Sequence, residues 1–315
     1  MNKPKEPILS VCIVTYGQEK YIAEAIDSVL MQETDYPFEI LVAEDCSPDG
    51  TREILQGYEK KYPGRFQMLY LDENTFHTTN NAFTRLEKIA KGKYLIVLEG
   101  DDFWTDKHKI DKQIRFLENH DEYIAVAHNA VVVGEDSQPI DEKCPECHEN
   151  EYRIEYFYNR ICLPGQTTTM MYRNPFFNGI DYSLMEKGLM PADWLKVYIL
   201  INSGKIYCMQ ETMSAYRHVV VSGTSFSATY KFGFEEQDRW YNELVEYVHN
   251  NSSKYQLLCI EFMRFLEIRR GIHEGAMPYR KILETNHYSS SVDLIKMYVK
   301  RWIRKHILKD KFIIA

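Results

Sequence analysis

The run Lys93-Tyr94-Leu95-Ile96-Val97-Leu98 constrains this chain most, because it is apolar after its first residue and then stops abruptly in Glu99-Gly100-Asp101-Asp102. Coming after the Lys91-Gly92 stop, it reads as a strand buried on both faces. Such a strand does not normally gather three carboxylates at its tip, where like charges repel. A hard divalent cation bound by carboxylate oxygens, with water and substrate phosphates as its other ligands, would offset that repulsion.

The same rhythm recurs around it. Residues 8–15 and 38–43 are β-branched-rich apolar runs, ending in Thr15-Tyr16-Gly17 and Glu44-Asp45. Between them, residues 18–32 carry Tyr21, Ile22, Ala25, Ile26, Val29 and Leu30 at helical spacing. A helix is expected from about Thr51 to Tyr62, with Asp49 or Ser47 as its cap and Pro63-Gly64 as its stop. Strands are predicted over 66–71 and 123–133, and helices over 80–90 and 106–119. This alternation implies an α/β fold with a mostly parallel central sheet flanked by helices. Ligands of such sheets sit outside the C-terminal strand ends, so the three polar strand ends should border one crevice. No G-x-G-x-x-G follows the first strand and no G-x-x-x-x-G-K-[ST] occurs anywhere, which argues against a glycine-rich phosphate cradle.

Beyond residue 134 the rhythm breaks. Residues 135–152 are acidic and turn-rich, and the lone Cys144-x-x-Cys147-His148 has no second cysteine pair at useful spacing, so it reads as an unmetallated loop. Residues 163–173 are polar, then strand-like. A helix is expected over 195–202 and a short strand over 205–209, and residues 213–218 lead into a flexible loop over 222–229. Residues 234–270 read as helices rich in aromatics and charges, and a last helix runs over about 292–309. In that helix Ile295, Tyr298, Val299, Trp302 and Ile303 form one stripe that Lys296, Lys300, Arg301, Arg304 and Lys305 largely avoid. That pattern fits peripheral contact with a membrane through 292–311, and equally a helix docked on the domain or in a dimer. The expected division is a domain over 1–230 and a C-terminal helical extension over 231–315.

Composition narrows the class. The chain is 315 residues long and 44% hydrophobic, enough for one large α/β domain with an appendage. No apolar run has the length of a membrane span, and the start of the chain lacks a signal-peptide pattern. The seven scattered cysteines suit buried thiols in a reducing compartment. These features point to a cytoplasmic protein, with peripheral contact on the inner face of the plasma membrane if the last helix docks there. The net charge is −8, yet residues 296–311 hold seven Lys/Arg and one acid, so the rest carries about −14. A main body of that sign argues against nucleic-acid binding. Nothing here fixes an oligomeric state.

Several motifs together resemble bacterial family 2 glycosyltransferases of the GT-A fold. They are V-C-I-V-T-Y-x-x-E-x-Y-I at 11–22, E-D-C-S-x-D-G-T at 44–51, K-G-K-Y at 91–94 and L-E-G-D-D-x-W at 98–104, with A-D-W at 192–194 and M-S-x-Y-R at 213–217. The resemblance covers about residues 7–225. It implies a GT-A-like, Rossmann-like catalytic domain that moves a sugar from a UDP- or dTDP-sugar to a saccharide or lipid-linked acceptor, in bacterial surface polysaccharide synthesis. It places Thr15, Tyr16 and Glu19 beside the nucleotide, Asp45 on the base with Ser47 assisting, and the D-x-D element on Glu99-Gly100-Asp101. Glu99 stands where aspartate is commoner and would reach the donor. Asp101 becomes the ligand of Mn²⁺ or Mg²⁺, with Asp102 beside it on metal or donor and His218 as a further metal or phosphate contact. Arg217 would grip the diphosphate. Asp193 becomes the general base of an inverting displacement, and Trp104, Gln166 and Trp194 would line the acceptor. Two other readings use the same residues differently: a sugar-nucleotidyltransferase, and a carbohydrate-binding or scaffold protein that has lost catalysis. The first would want a basic, glycine-rich loop where Tyr16-Gly17-Gln18-Glu19-Lys20 stands. His128, inside a predicted strand, reads as a core or rim histidine.

Overall fold

The computed structural model describes residues 6–76, 78–142, 144–146, 149–153, 157, 163–188, 191–218, 239–240, 242–244, 246 and 299. Expectations for Cys147, His148, residues 222–229 and most of 234–270 and 292–311 fall outside these. The chain divides into two compact units. The first comprises Met1–Tyr152, Leu163–Gly188 and Leu195–Tyr230, and the second Arg153–Cys162, Leu189–Trp194 and Lys231–Ala315.

Among the described residues of the first unit, nine strands form one sheet: β1 (Leu9–Thr15), β2 (Phe38–Glu44), β3 (Phe66–Tyr70), β4 (Tyr94–Glu99), β5 (Phe103–Trp104), β6 (Tyr123–Val133), β7 (Glu151–Tyr152), β8 (Met171–Arg173) and β9 (Lys205–Arg217). Their order is β3-β2-β1-β4-β8-β6-β9-β5, with β7 pairing on β9. The half from β3 to β4 is wholly parallel. Beyond it β8 runs antiparallel to both β4 and β6, while β6 and β9 are parallel. The strand order reverses between β1 and β4, and in such sheets ligands bind outside the C-terminal strand ends at that reversal.

The apolar runs are uninterrupted because both sheet faces are covered. One face packs Val11, Ile13, Ile40, Val42, Ile96 and Leu98 against helices α1 (Ile22–Leu30), α2 (Thr51–Lys61) and α4 (Lys109–Asn119). Toward α3 (Ala82–Ile89) and α5 (Ala192–Ile201) a polar cluster replaces part of the apolar core. Glu87 of α3 and Lys196 of α5 lie 3.3 Å apart with side chains 1% and 4% exposed. Tyr172 and Tyr182 donate their hydroxyls to Glu87, and Lys196 donates to the Tyr172 hydroxyl at 3.1 Å while sitting over the Phe83 ring. Burial, with the Glu87 charge beside them, pushes both phenols well up.

Two expectations change. The short strand expected over 205–209 runs on to Arg217 as one strand, β9, because the exposed stretch Gln210-Glu211-Thr212 breaks the apolar pattern but does not end the pairing with β6. The register shifts there by bulges absorb the mismatch. Neither Asp49 nor Ser47 is the cap of α2: that position is Gly50, with no side-chain cap bond, while Asp49, one residue earlier in the turn, accepts through Oδ1 from the Thr51 amide at 3.1 Å.

A buried charge left without its partner is costly, whereas removing both partners is not. Glu87→Leu should therefore destabilise the protein by about 3–5 kcal/mol in urea unfolding. The double variant Glu87→Leu/Lys196→Met should be more stable than that single variant.

Candidate functional site

The parallel register brings three strand ends level. Thr15 pairs with Glu44 across β1–β2, and Val14 with Glu99 across β1–β4. The Asp45 amide then donates to the Thr15 carbonyl at 3.0 Å and the Gly100 amide to the Val14 carbonyl at 2.9 Å. Main-chain bonds thus hold these strand ends level.

The loops after β1 and β2 are laced together. Gly17 adopts a left-handed φ of 65°, which carries the chain over the β2 loop. Its amide donates to Ser47 Oγ at 3.0 Å, that of Gln18 to Thr51 Oγ1 at 2.9 Å and that of Glu19 to Asp49 Oδ2 at 3.1 Å. The Glu19 carboxylate accepts from the Gly50 amide at 2.8 Å. In a phosphate-binding turn these amides would face the ligand; here side chains of the neighbouring loop take them. Thr15 is buried and donates to Gln18 Oε1 at 2.7 Å, whereas Tyr16 is 37% exposed. Asp45 is buried and holds the Thr75 loop, with Oδ1 accepting from the Thr75 amide at 2.9 Å and hydroxyl at 2.7 Å. Glu44 is buried behind it against Arg52.

At the tip of β4, Glu99 and Asp101 are half-buried and Asp102 is buried. Asp102 Oδ1 accepts from the Arg217 amide at 2.9 Å, and its Oδ2 is buried with no hydrogen-bond partner. Burial pushes the Asp101 carboxyl up to about 6, against the pull of Arg217 and a bond with Gln18. Burial raises Asp102 well above the ordinary carboxylate range, and the charges of Asp101 and Glu99 add to this.

Arg217 is placed differently from the expected diphosphate grip. Its side chain is fully buried, and all five of its N–H donors have protein partners. Nε donates to the Asp101 carbonyl at 2.8 Å, Nη1 to the carbonyls of Gly134 and Glu135, and Nη2 to Glu24 Oε2 at 2.6 Å and Ser137 Oγ at 3.0 Å. The guanidinium stacks on Tyr21, 4.4 Å from its ring centre. No donor remains for a ligand.

The expected metal set is not assembled either. Among the described residues no group of three or more His, Cys, Asp or Glu is arranged to hold a metal ion. His218 follows Arg217 on the same strand end, but its Nδ1 stands against the Glu142 carboxylate without hydrogen-bond alignment. Asp101 and Asp102 remain as the carboxylate pair. Trp104 is also corrected: it is 1% exposed, donates to Thr168 Oγ1 at 3.2 Å and lies under Lys109, so its faces are core and not an acceptor platform. Gln166 is half-buried before the 3₁₀ turn Thr167–Thr169, and its carbonyl accepts from the Thr169 amide at 2.9 Å. Asp193 lies in the first turn of α5. Trp194 packs edge-on against Trp240, with ring centres 5.6 Å apart. His128 is a core residue, and burial drives its imidazole well below the ordinary value.

Residues 10–188 match the family described as glycosyl transferase family 2. The chain belongs to that family. Rv1520 of Mycobacterium tuberculosis is 32% identical over 209 residues, which is 66% of this chain and 58% of that protein. The match thus spans little more than half of that relative. TuaG of Bacillus subtilis, named for teichuronic acid biosynthesis, is 39% identical over 114 residues, 36% of this chain and 42% of its own. A crystal structure of Staphylococcus aureus TarS residues 1–349 in complex with UDP-GlcNAc superposes with a TM-score of 0.56 at 17% identity, covering 94% of this chain and 91% of that one. This last likeness shows the GT-A fold of the family member. No described helix is long and apolar enough to cross a membrane.

Sequence reasoning missed Glu24, Ser137 and the turn at Gly134, which surround Arg217. On α1, Glu24 looks like any polar residue of an exposed face, and only tertiary contact reveals its partner. Gly100 is a site residue of another kind. A Cβ there would lie 2.4 Å from Gln18 Oε1 and 2.8 Å from the Thr15 side chain. Gly100→Ala should cost about 1–3 kcal/mol in denaturant unfolding, because Thr15 is buried and cannot yield.

Proposed function

We propose that the chain transfers a glycosyl unit from a nucleoside-diphosphate sugar to a hydroxyl of a saccharide or lipid-linked acceptor, in synthesis of a bacterial surface polysaccharide. The observation that carries this reading is the set of level strand ends at the β1/β4 reversal. It places Asp45 on one side and the desolvated Asp101-Asp102 pair on the other, inside a family 2 chain. TarS, the structural neighbour, was crystallised with UDP-GlcNAc, which supports a UDP-sugar as donor. The laced amides of Gly17, Gln18 and Glu19 weigh against nucleotidyl transfer on a phosphate-binding turn.

The carboxylates fit a hard divalent cation in their chemistry. Asp102 Oδ2 is a buried oxygen with no hydrogen-bond partner, and burial leaves both carboxyls in need of positive charge. Mn²⁺ or Mg²⁺ commonly takes one or two carboxylates and completes its shell with phosphate oxygens and water, so Asp101 and Asp102 suffice without His218. When bound, the ion would neutralise charge on the departing diphosphate. Asp45 receives the nucleotide base, with Tyr16 exposed beside it. Ser47 and Glu19 act through the loop they hold. Glu99 faces the donor sugar or ribose. Asp193 removes the acceptor proton as the hydroxyl attacks, worth roughly 10²–10⁴-fold, and a single displacement inverts the anomeric carbon. The basic stripe over 292–311 supports docking at an anionic membrane surface, which would suit a lipid-linked acceptor.

A panel of UDP- and dTDP-sugars with Mn²⁺, read by release of free nucleoside diphosphate, tests the activity. Asp101→Ala and Asp193→Asn should each lower turnover by roughly 10²-fold or more; unchanged turnover in both would remove these assignments. The raised Asp101 value sets a pH dependence. Protons compete with the cation for this carboxylate, so Mn²⁺ affinity should be full above about pH 7 and weaken as pH falls through about 6. A titration of Mn²⁺ at stepped pH checks it, and a flat affinity from pH 7.5 to 5 would contradict the role.

A further inference from the structure

An arginine beside one buried and one half-buried carboxylate should form a charged fork with one of them. Arg217 does not. It lies against the Asp101-Asp102 tip, yet its two contacts there are to main chain and from main chain. Nε donates to the Asp101 carbonyl, and the Arg217 amide, not its guanidinium, donates to Asp102 Oδ1. Both Nη atoms point away, toward the turn after β6 and toward helix α1. There Glu24 Oε2 accepts from Nη2 at 2.6 Å and from Ser137 Oγ at 2.8 Å. Asp102 Oδ2 is thereby left buried and without a hydrogen-bond partner.

We propose that Glu24 is a positioning residue of the donor site. Its carboxylate draws the Arg217 guanidinium away from Asp101 and Asp102, so that no guanidinium N–H occupies either carboxylate and Asp102 Oδ2 stays open to a divalent cation. The inference rests on the reading of that pair as the cation-binding carboxylates. Two effects of Glu24 have the same sign. It supplies the ionic partner that Arg217 would otherwise seek in the tip, and its negative charge offsets the arginine's positive charge beside the cation. The Tyr21 and Phe103 rings flanking the guanidinium and the carbonyls of Gly134 and Glu135 hold the fork in this orientation without adding a charge of their own.

The test uses the full chain and the metal alone. Glu24 is 40% exposed at its side chain and Gln keeps its shape, so Glu24→Gln should fold, with a lowered melting temperature because the buried Arg217 charge loses its ionic partner. Its Mn²⁺ dissociation constant, read from the free-ion EPR signal without nucleotide, should rise roughly 10–100-fold, the range usual for partners just outside a metal's ligands. Ser137→Ala, which removes a hydrogen bond but no charge, should change it less than threefold. A crystal structure of Glu24→Gln should show an Nη atom of Arg217 on the Asp101 or Asp102 carboxylate. Parent-like Mn²⁺ affinity in Glu24→Gln would overturn the proposal, as would an equal loss in Ser137→Ala. If the parent itself binds no Mn²⁺, the metal reading fails. The crystal structure then still decides, because a guanidinium unmoved in Glu24→Gln would refute the steering role of Glu24.

Discussion

Desolvation of carboxylates at the end of a doubly covered strand is the constraint on which the rest depends. β4 is apolar on both sides because helices cover both sheet faces, and its tip therefore enters a region of low polarity. Asp101 and Asp102 feel this as raised proton affinity. The structure around them answers with main-chain donors and with one guanidinium held nearby. It does not answer with a direct ion pair, which would have neutralised the acids and closed the site.

Arg217 makes that arrangement a property of the whole first unit. One side chain joins the β4 tip, the turn after β6, helix α1 and the end of β9. The positions it links are far apart in sequence; Arg217 and Glu24 are separated by 193 residues. A similar economy appears in the loops after β1 and β2, where four side chains satisfy the amides at Gly17, Gln18, Glu19 and Gly50. With these amides taken by side chains, the proposed donor site turns to Asp45 and the exposed Tyr16 for contact with a nucleotide.

Much of the frame was legible beforehand. The strand runs, the amphipathic stripes of α1 and α4 and the polar strand ends follow from hydrophobic period alone, because a buried strand and a half-buried helix each have a characteristic spacing. Three tip acids were visible as an electrostatic oddity for the same reason. The later elements were less legible. The mid-strand polar stretch Gln210-Glu211-Thr212 hid the continuity of β9, since main-chain pairing leaves no trace in side-chain pattern. Trp104 and Arg217 looked like ligand contacts because both residue types suit sugars and phosphates, yet both are spent on packing and hydrogen bonds within the protein.

The sequence by itself determined the class of sheet, the placement of acids at its C-terminal ends and the absence of a glycine-rich phosphate turn. Each of these is a local property, set by runs of a few residues. Only the tertiary structure decided which way Arg217 points, that His218 turns to Glu142 and that Trp104 is core. Those outcomes depend mostly on partners distant in the sequence, and burial, charge and donor geometry at such meetings are not encoded in any one stretch.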